Sequence, residues 1–518
     1  MSRTLLPVVL FLAACGGSGP LQSFAGLTRV TGQSPFAPGC VSPGQLGTNF
    51  PAAEVEPFLA IDPHDAQHLV GVWQQDRWSN GGSNGLGSGV SFDGGRTWTT
   101  GFAHFTNCSG GNATNRANFE RASDPWITFA ADSTPHQIGF AFNNDTARTA
   151  MLAVRSTDGG RTWTEPVFLF EETNADANID KESITADPVD PHLVYAVWDR
   201  LTGILTPSSP NVTGPAWFTR TTDGGASWET ARIIYDPGPN EQTLGNQIVV
   251  LPNGHLVDLF THLKQLTPQS SPATTEVLRS QDKGMSWSPP VVVAAETSQG
   301  VSDPKDDSKG VRTGDIVPEI AVDRQSGALY VVWEDSRFTS GARDGIALSK
   351  SIDEGVTWST KPVRVNGAPA TQAFTPSIAV AQGGKIGVTY YDLRNDNPGD
   401  NSQLLATAWL ATSTDGGLTF QESAIGGPFD LRSAARTKEG TREFYFIGDY
   451  QGLVTSGANF LPFFVLANNG NTSNRSDVFA RPPAAAVVAR GASLPSALAS
   501  ELGFTVRRPP RTGLRRSY

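Results

Sequence analysis

An all-β ring of repeated four-stranded units, a β-propeller, is the fold predicted for this chain, most simply with seven blades and alternatively with six. Three observations predict it. An eight-residue turn motif recurs six times at intervals of 59–71 residues, and strand-like segments surround each copy in a fixed order. The 518-residue composition suits short strands joined by tight turns, with 17 % charged residues against 54 Gly and 36 Pro. Hydrophobic residues make up 38 %, and 12 Trp with 27 Phe supply large side chains for a core. Length alone suggests three domains, but the repeat replaces them with one ring over residues 27–482.

In chain order, Met1-Ser2-Arg3 precedes an apolar run, Leu5–Leu12, and then Leu12-Ala13-Ala14-Cys15. One Arg, an apolar stretch too short to span a bilayer and small residues describe a signal peptide over 1–14. Cys directly after Leu-Ala-Ala resembles the lipobox of bacterial lipoproteins. That resemblance implies acylation at Cys15 and a lipidated Gly/Ser tether over 15–26. It also implies residence in the bacterial cell envelope, outside the cytoplasm, at the outer membrane or cell surface. Membrane contact is then expected through the anchor only. Cys40 and Cys108 remain as an even pair in an oxidising compartment, and a disulfide between them is expected.

The six turn motifs are Ser91–Trp98, Ser156–Trp163, Thr221–Trp228, Ser280–Trp287, Ser351–Trp358 and Ser413–Phe420, with Asp at 93, 158, 223, 282, 353 and 415. Asp-x-Gly provides a carboxylate acceptor and a permissive backbone at a tight hairpin. The later hydroxyl bonds locally, and the Trp buries between hairpins. These Asp residues are therefore structural. In the first unit, Glu56–Asp62 and His68–Trp73 precede the motif as two strands. In the fifth, Pro318–Asp323, Ala328–Trp333 and Gly345–Ser349 precede it and Val363–Val365 follows.

Beyond the sixth motif, Ile447–Val454, Leu461–Leu466 and Asp477–Ala480 read as three strands with no fourth. Thr28–Gly32 resembles the fourth strand Val363–Gly367 and stands without three of its own. An N-terminal strand completing the last blade closes the ring and removes its edges. The six-bladed alternative leaves the last strands as an appended hairpin. Residues 483–518 carry six Arg against Glu501 and lack strand or helix periodicity, so a disordered basic tail is expected. The net charge is −11 and that tail is basic, so the body is more acidic still. Nucleic acid is excluded as a partner on that ground.

First strands start, and second strands end, on the face opposite the turn motifs. First-strand starts carry Glu56, Asp124, Asp180, Lys181, Glu182, Asp315, Glu319, Asp449 and Tyr450. Second-strand ends repeat an aromatic, an acid and an Arg: Trp73 with Arg77, Trp198 with Arg200, Trp333 with Arg337, and Tyr390 with Arg394. The offsets are all even, so each Arg shares a strand face with its aromatic. Two readings stay open: a cationic mouth for an anionic or polyhydroxylated ligand, or ion pairs between blades. No Asp-x-Asp-x-Asp-Gly loop is present, and neither metal nor other cofactor is expected.

The turn motif resembles the Asp box, or BNR repeat, of the sialidase (neuraminidase) superfamily. The resemblance covers about residues 56–480 and implies an exo-glycosidase that removes terminal sialic acid or a similar sugar from glycans. It implies Tyr391 paired with Glu319 as nucleophile, Asp124 as acid/base, and Arg77, Arg337 and Arg394 as a clamp on the substrate carboxylate. Arg200, Glu56 and Glu182 join them as substrate-binding residues. The family's Arg-Ile-Pro motif is absent; the first strand reads Glu56-Pro57-Phe58-Leu59. Two alternatives accompany this reading. One is a glycosidase using two carboxylates among Glu56, Glu182 and Glu319. The other is a non-catalytic surface propeller that binds glycan or protein. In each case a monomer is expected.

Overall fold

Short runs rich in Val, Ile, Leu and Trp, bounded by Gly and Asp turns, fold as antiparallel strands because each buries both faces between neighbouring sheets. The computed structural model describes residues 25–483 except 42–43, 145, 205–210, 267–271, 307 and 440–441. The expected signal peptide, Cys15, nearly all of the tether and all of the tail but Pro483 lie outside the described residues.

The first sheet runs through Val55–Ile61, Leu69–Arg77, Ser83–Ser91 and Thr99–Phe102, each antiparallel to the next. Sheets of the same order follow, with innermost strands Arg121–Phe129, Ala177–Ala186, Gln242–Val250, Glu319–Val322 and Ala373–Ala381. One residue pair, Ser83 with Ala122, bridges the first two sheets. The last sheet starts at Gly452–Ser456 and is completed by Thr28–Arg29, with Thr28 opposite Ala480 and Arg29 opposite Phe479. The innermost strands touch one another in chain order, and Gly452–Ser456 packs back on Val55–Ile61. The all-β propeller expected from sequence is present, and these strand groups fit its seven-blade form.

Core side chains lie between sheets. Trp73, Trp198 and Trp333, one on each of three second strands, are almost fully buried. The turn motifs form hydrogen-bonded caps on the opposite face. In one, Thr357 donates its backbone N–H and its hydroxyl to Asp353 at 2.9 and 2.6 Å, and Gly355 N donates to Ser351 Oγ at 2.9 Å. The hydroxyls of Ser227 and Ser286 hold Asp223 and Asp282 down at about 2, so both are carboxylates fixed as turn acceptors.

Sequence periodicity did not reveal one small sheet. Val301–Ser302, Lys309–Arg312, Arg442–Phe446 and Ala435–Glu439 pair in that order, the middle two strands in parallel, from insertions before the fifth inner strand and before the last. The strands are only two to five residues long, too short for a periodic signal. Cys40 and Cys108 form a disulfide across 68 residues. It ties the segment after the closing strand Thr28–Arg29 to the loop after Thr99–Phe102. Closing a loop of that length restricts the unfolded chain by about 4 kcal/mol.

Candidate functional site

Five innermost strands break register near their starts, where a bulge inserts an extra residue and re-aims its side chain. The bulge residues are Glu56, Asp124, Lys181, Gly245 and Thr375, all at positive φ: 52°, 51°, 50°, 70° and 50°. Four of the five carry side chains in a backbone region that costs about 1–3 kcal/mol per residue. Three of those four are ionisable, and they meet.

Lys181 Nζ lies 2.8 Å from Asp449 Oδ2, 3.2 Å from Asp124 Oδ2 and 3.5 Å from Glu56 Oε1. All four residues are more than nine-tenths buried. Gln74 donates from Nε2 to Glu56 and to Ser123 Oγ at 2.9 Å, and Ser123 donates to Asp124 Oδ1 at 2.9 Å. Gly314 and Gly448 permit the close packing behind them. A Cβ at Gly314 would stand 2.3 Å from the Asp449 carbonyl oxygen, and one at Gly448 would stand 2.8 Å from Glu56 N.

Electrostatics divide these acids into two kinds. Burial pushes the Glu56 carboxyl well up, and the charge on Asp124 adds to it. Asp180, half-buried, rises to about 7 for the same two reasons. Asp124 and Asp449 stay low against their burial. The Lys181 charge holds the first, and Arg312 with Lys181 holds the second. At neutral pH the cluster therefore contains both carboxylates and carboxylic acids, the division that acid–base chemistry requires.

A cavity of about 410 Å³ opens onto the cluster, lined by Glu56, Asp124, Asp180, Arg77 and Arg312. Phe140, Phe142, Asn143, Asn174 and Asn178 form more of its wall, so rings and amides face the acids. Arg312 reaches the cavity from the small sheet and donates Nε to Asp449 Oδ1 at 2.9 Å. The Arg77 and Arg312 guanidiniums lie 4.6 and 5.2 Å from the ring centre of Phe446, also from that sheet. Arg77 is 3 % exposed. It donates Nη1 to the neutral Gln74 Oε1 at 2.7 Å, and its Nε has no partner among the described residues. No carboxylate there lies within ion-pair distance of it.

Residues 216–438 match the family described as BNR repeat-like domain. With six Asp-box turns capping the sheets, that match decides the fold. Residues 216–438 of the propeller carry BNR-like repeats. A 224-residue stretch is 27% identical to the xyloglucanase Xgh74A of Acetivibrio thermocellus, covering 41% of this chain and 22% of that protein. The chain thus spans less than a quarter of that relative's length. Two solved structures are similar at 12% identity. An alpha-L-arabinanase of Penicillium chrysogenum, complexed with arabinobiose, has a TM-score of 0.43, with 88% of this chain and 98% of that one covered. NanB sialidase from Streptococcus pneumoniae has a TM-score of 0.41, with 87% and 70% covered.

Within the BNR propeller the expected site residues separate. Glu56, Asp124 and Arg77 line the cavity. Tyr391 does not, and its expected pairing with Glu319 is corrected. Its hydroxyl donates to Val465 O at 2.9 Å and accepts from Val465 N at 3.0 Å inside the blade packing. Glu319 and Glu182 instead line a separate small cavity nearer the inner strands of the third to fifth sheets. The Arg clamp is corrected as well. Arg200 is tied to Glu172 at 2.7 Å, Arg337 to Asp335 at 2.7 Å, and Arg394 to Glu422 at 2.9 Å. Second strands lie one position out from the axis, and their Arg residues find partners close by. Asp335 lies two residues before Arg337, Glu422 is on the fourth strand of the sheet whose second strand ends just before Arg394, and Glu172 on the fourth strand of the second sheet serves Arg200. Among the four, only Arg77 reaches the cavity.

Sequence reasoning missed Arg312 and Phe446, which arrive on insertions with no repeat counterpart. It named Asp180, Lys181 and Asp449 without a role. One signal was available: an ionisable residue directly before Pro at the strand start, as in Glu56-Pro57 and Asp124-Pro125.

Proposed function

We propose that this protein is a carbohydrate-active enzyme that hydrolyses a terminal carboxylated sugar, sialic acid or one chemically like it, from a glycan. The observation that carries the reading is Arg77, a buried guanidinium at the cavity wall with a neutral partner where an anion is favoured. The asparagines and phenylalanines of the opposite wall suit the hydroxyls and apolar faces of a sugar ring. Asp180 gives its proton to the glycosidic oxygen as that oxygen leaves the anomeric carbon, and the Asp124 carboxylate favours the positive charge developing on the sugar. A water then bonds to the anomeric carbon and returns a proton to Asp180. The Asp124 charge helps to keep the proton on Asp180, so the two act as one electrostatic unit.

The test is release of a fluorogenic alcohol from a sialoside, a glucuronide and a neutral arabinofuranoside. Cleavage of a carboxylated glycoside is expected, with kcat/KM lowered about 10²-fold by Arg77→Ala. Arg337→Ala, whose side chain is already held by Asp335, is expected to leave the rate unchanged. Cleavage of the neutral glycoside alone, undiminished by Arg77→Ala, overturns the carboxylated-sugar reading. Retention on a glycan array with no product from any glycoside marks a binding module instead.

We also propose that the protein acts as a monomer outside the cytoplasm, held in the bacterial envelope by lipid on Cys15. Labelling of cells with a palmitate analogue is expected to mark the wild type and not Cys15→Ser. Equal labelling of both removes the anchor.

A further inference from the structure

The small sheet built from the two insertions has two unlike faces. Val301, Val311 and Tyr445 are buried and join one core cluster. Ser302, Arg312, Phe444 and Phe446 alternate with them and so lie on the other face. There Ser302 and Phe444 both pair with Gly310, and Arg312 pairs with Phe446. A Cβ at Gly310 would overlap the Phe444 ring, so glycine lets that ring lie against the strand. Arg442, two residues before Phe444, holds its guanidinium 4.9 Å from the same ring centre.

A further cavity of about 270 Å³ runs along this face, with Gln299, Ser302, Arg312, Asp315, Arg442 and Phe444 in its wall. Arg312 also lines the 410 Å³ cavity at the acid cluster, so one side chain borders both. The volume is close to the lower end of small-ligand sites, about 300 Å³, and gives room for one sugar ring. Charge in its wall is nearly balanced. Arg312 is engaged by Asp449 at 2.9 Å. Glu443 is taken by Lys309 at 2.9 Å and Arg436 at 3.3 Å, and Arg442 makes no ion pair among the described residues. Arg442 is thus a donor and Asp315 an acceptor, its Oδ2 already taking the Ser298 hydroxyl at 3.1 Å.

We propose that this cavity binds the second sugar of the glycan, a neutral one, so that the substrate is an oligosaccharide of at least two units. The proposal rests on the reading of the 410 Å³ cavity as the site of the terminal sugar. A sugar hydroxyl both donates and accepts, and this wall offers both kinds of partner: Arg442 to donate, Asp315 to accept, Ser302 and Gln299 to do either. Phe444 supplies an apolar surface for the C–H face of the ring. An acidic sugar would meet the Asp315 carboxyl, and a wholly apolar ligand would strand the polar groups. The bond between the two sugars then passes Arg312. Because the wall comes from insertions, no repeat position announces it.

The experiment uses the full chain and two readouts. On an array of di- to tetrasaccharides, the best retention is expected where a neutral sugar follows the terminal one. Phe444→Ala and Arg442→Ala are each expected to weaken it at least tenfold, with melting temperatures checking that both variants fold. In hydrolysis, the responsive carboxylated sugar linked to galactose is expected to exceed its methyl glycoside at least tenfold in kcat/KM. Both variants should lower the disaccharide rate toward that of the methyl glycoside and leave the methyl glycoside rate unchanged. No turnover of any glycoside, with oligosaccharide retention that needs Phe444 and Arg442, removes the hydrolase reading and keeps this site. Retention and rates unchanged by both variants overturn the proposal, as does a disaccharide with no advantage over the methyl glycoside. Neither retention nor turnover of any oligosaccharide overturns it too, and preference for an acidic second sugar overturns the neutral assignment.

Discussion

Lys181→Met is expected to lower the unfolding free energy by about 3–5 kcal/mol at pH 7, the range for breaking a buried ionic group from one side. Lys181 is the shared cation of Glu56, Asp124 and Asp449. Met keeps much of the volume of the side chain and removes the charge, which leaves two buried carboxylates held only by Arg312 and neutral donors. The loss depends on pH with a definite sign. Lys181 helps to hold Asp124 and Asp449 below the ordinary carboxylate range. Their contribution is present above the unfolded value of about 3.9 and fades as pH falls below it. Urea midpoints for wild type and variant should therefore differ widely from pH 7 down to about pH 4 and draw together only below it. A difference under about 1 kcal/mol at both pH values would mean that the cluster is not held by this charge.

Asp124→Asn is expected to slow hydrolysis of the responsive carboxylated glycoside by about 10²–10⁴-fold, the range for losing a positioned acid–base group. The pH dependence separates this from misfolding. In the wild type, Asp180 near 7 keeps its proton below neutrality, so the rate should hold on the acid side and fall above about pH 7. Asp124 lies too low to add an acid limb in the usual working range. Part of the rise at Asp180 comes from the Asp124 charge, so the residual activity of Asp124→Asn should lose its upper limb at a lower pH than wild type. Stability carries the same signature. Folded Asp180 retains a proton that the unfolded chain releases near pH 4, so stability falls as pH rises from about 4 to about 7. Asp180→Asn should remove that slope, and an unchanged slope would place the proton on another group.

The ring was legible because its signal is redundant. Six turn motifs, each with a hydroxyl, an Asp and a Gly at fixed offsets, hold even where one copy ends in Phe420 rather than Trp. Glu56, Asp124 and Lys181 were legible as first-strand starts, because position within a repeat fixes position around an axis. The Arg clamp was not. Even spacing assumes a strand that continues to the Arg, but the strands end at Asp335 and Asp392, so Arg337 and Arg394 lie just beyond them and turn back onto those acids. Arg312 and Phe446 lay beyond reach for a different reason. They sit on a sheet assembled from two insertions more than 120 residues apart, paired through main-chain bonds that leave no residue pattern.

Because five inner strands begin with a bulge at the same register position, the rim can be read as part of a circular word: Glu, Asp, Lys, Gly, Thr. Each of the first three steps along that word costs 57–68 residues of chain yet moves only to the adjoining blade, and the last passes over the fifth sheet. Each letter is held by its own strand's ladder, so exchanging one blade would rewrite one letter and leave the spelling of the others intact.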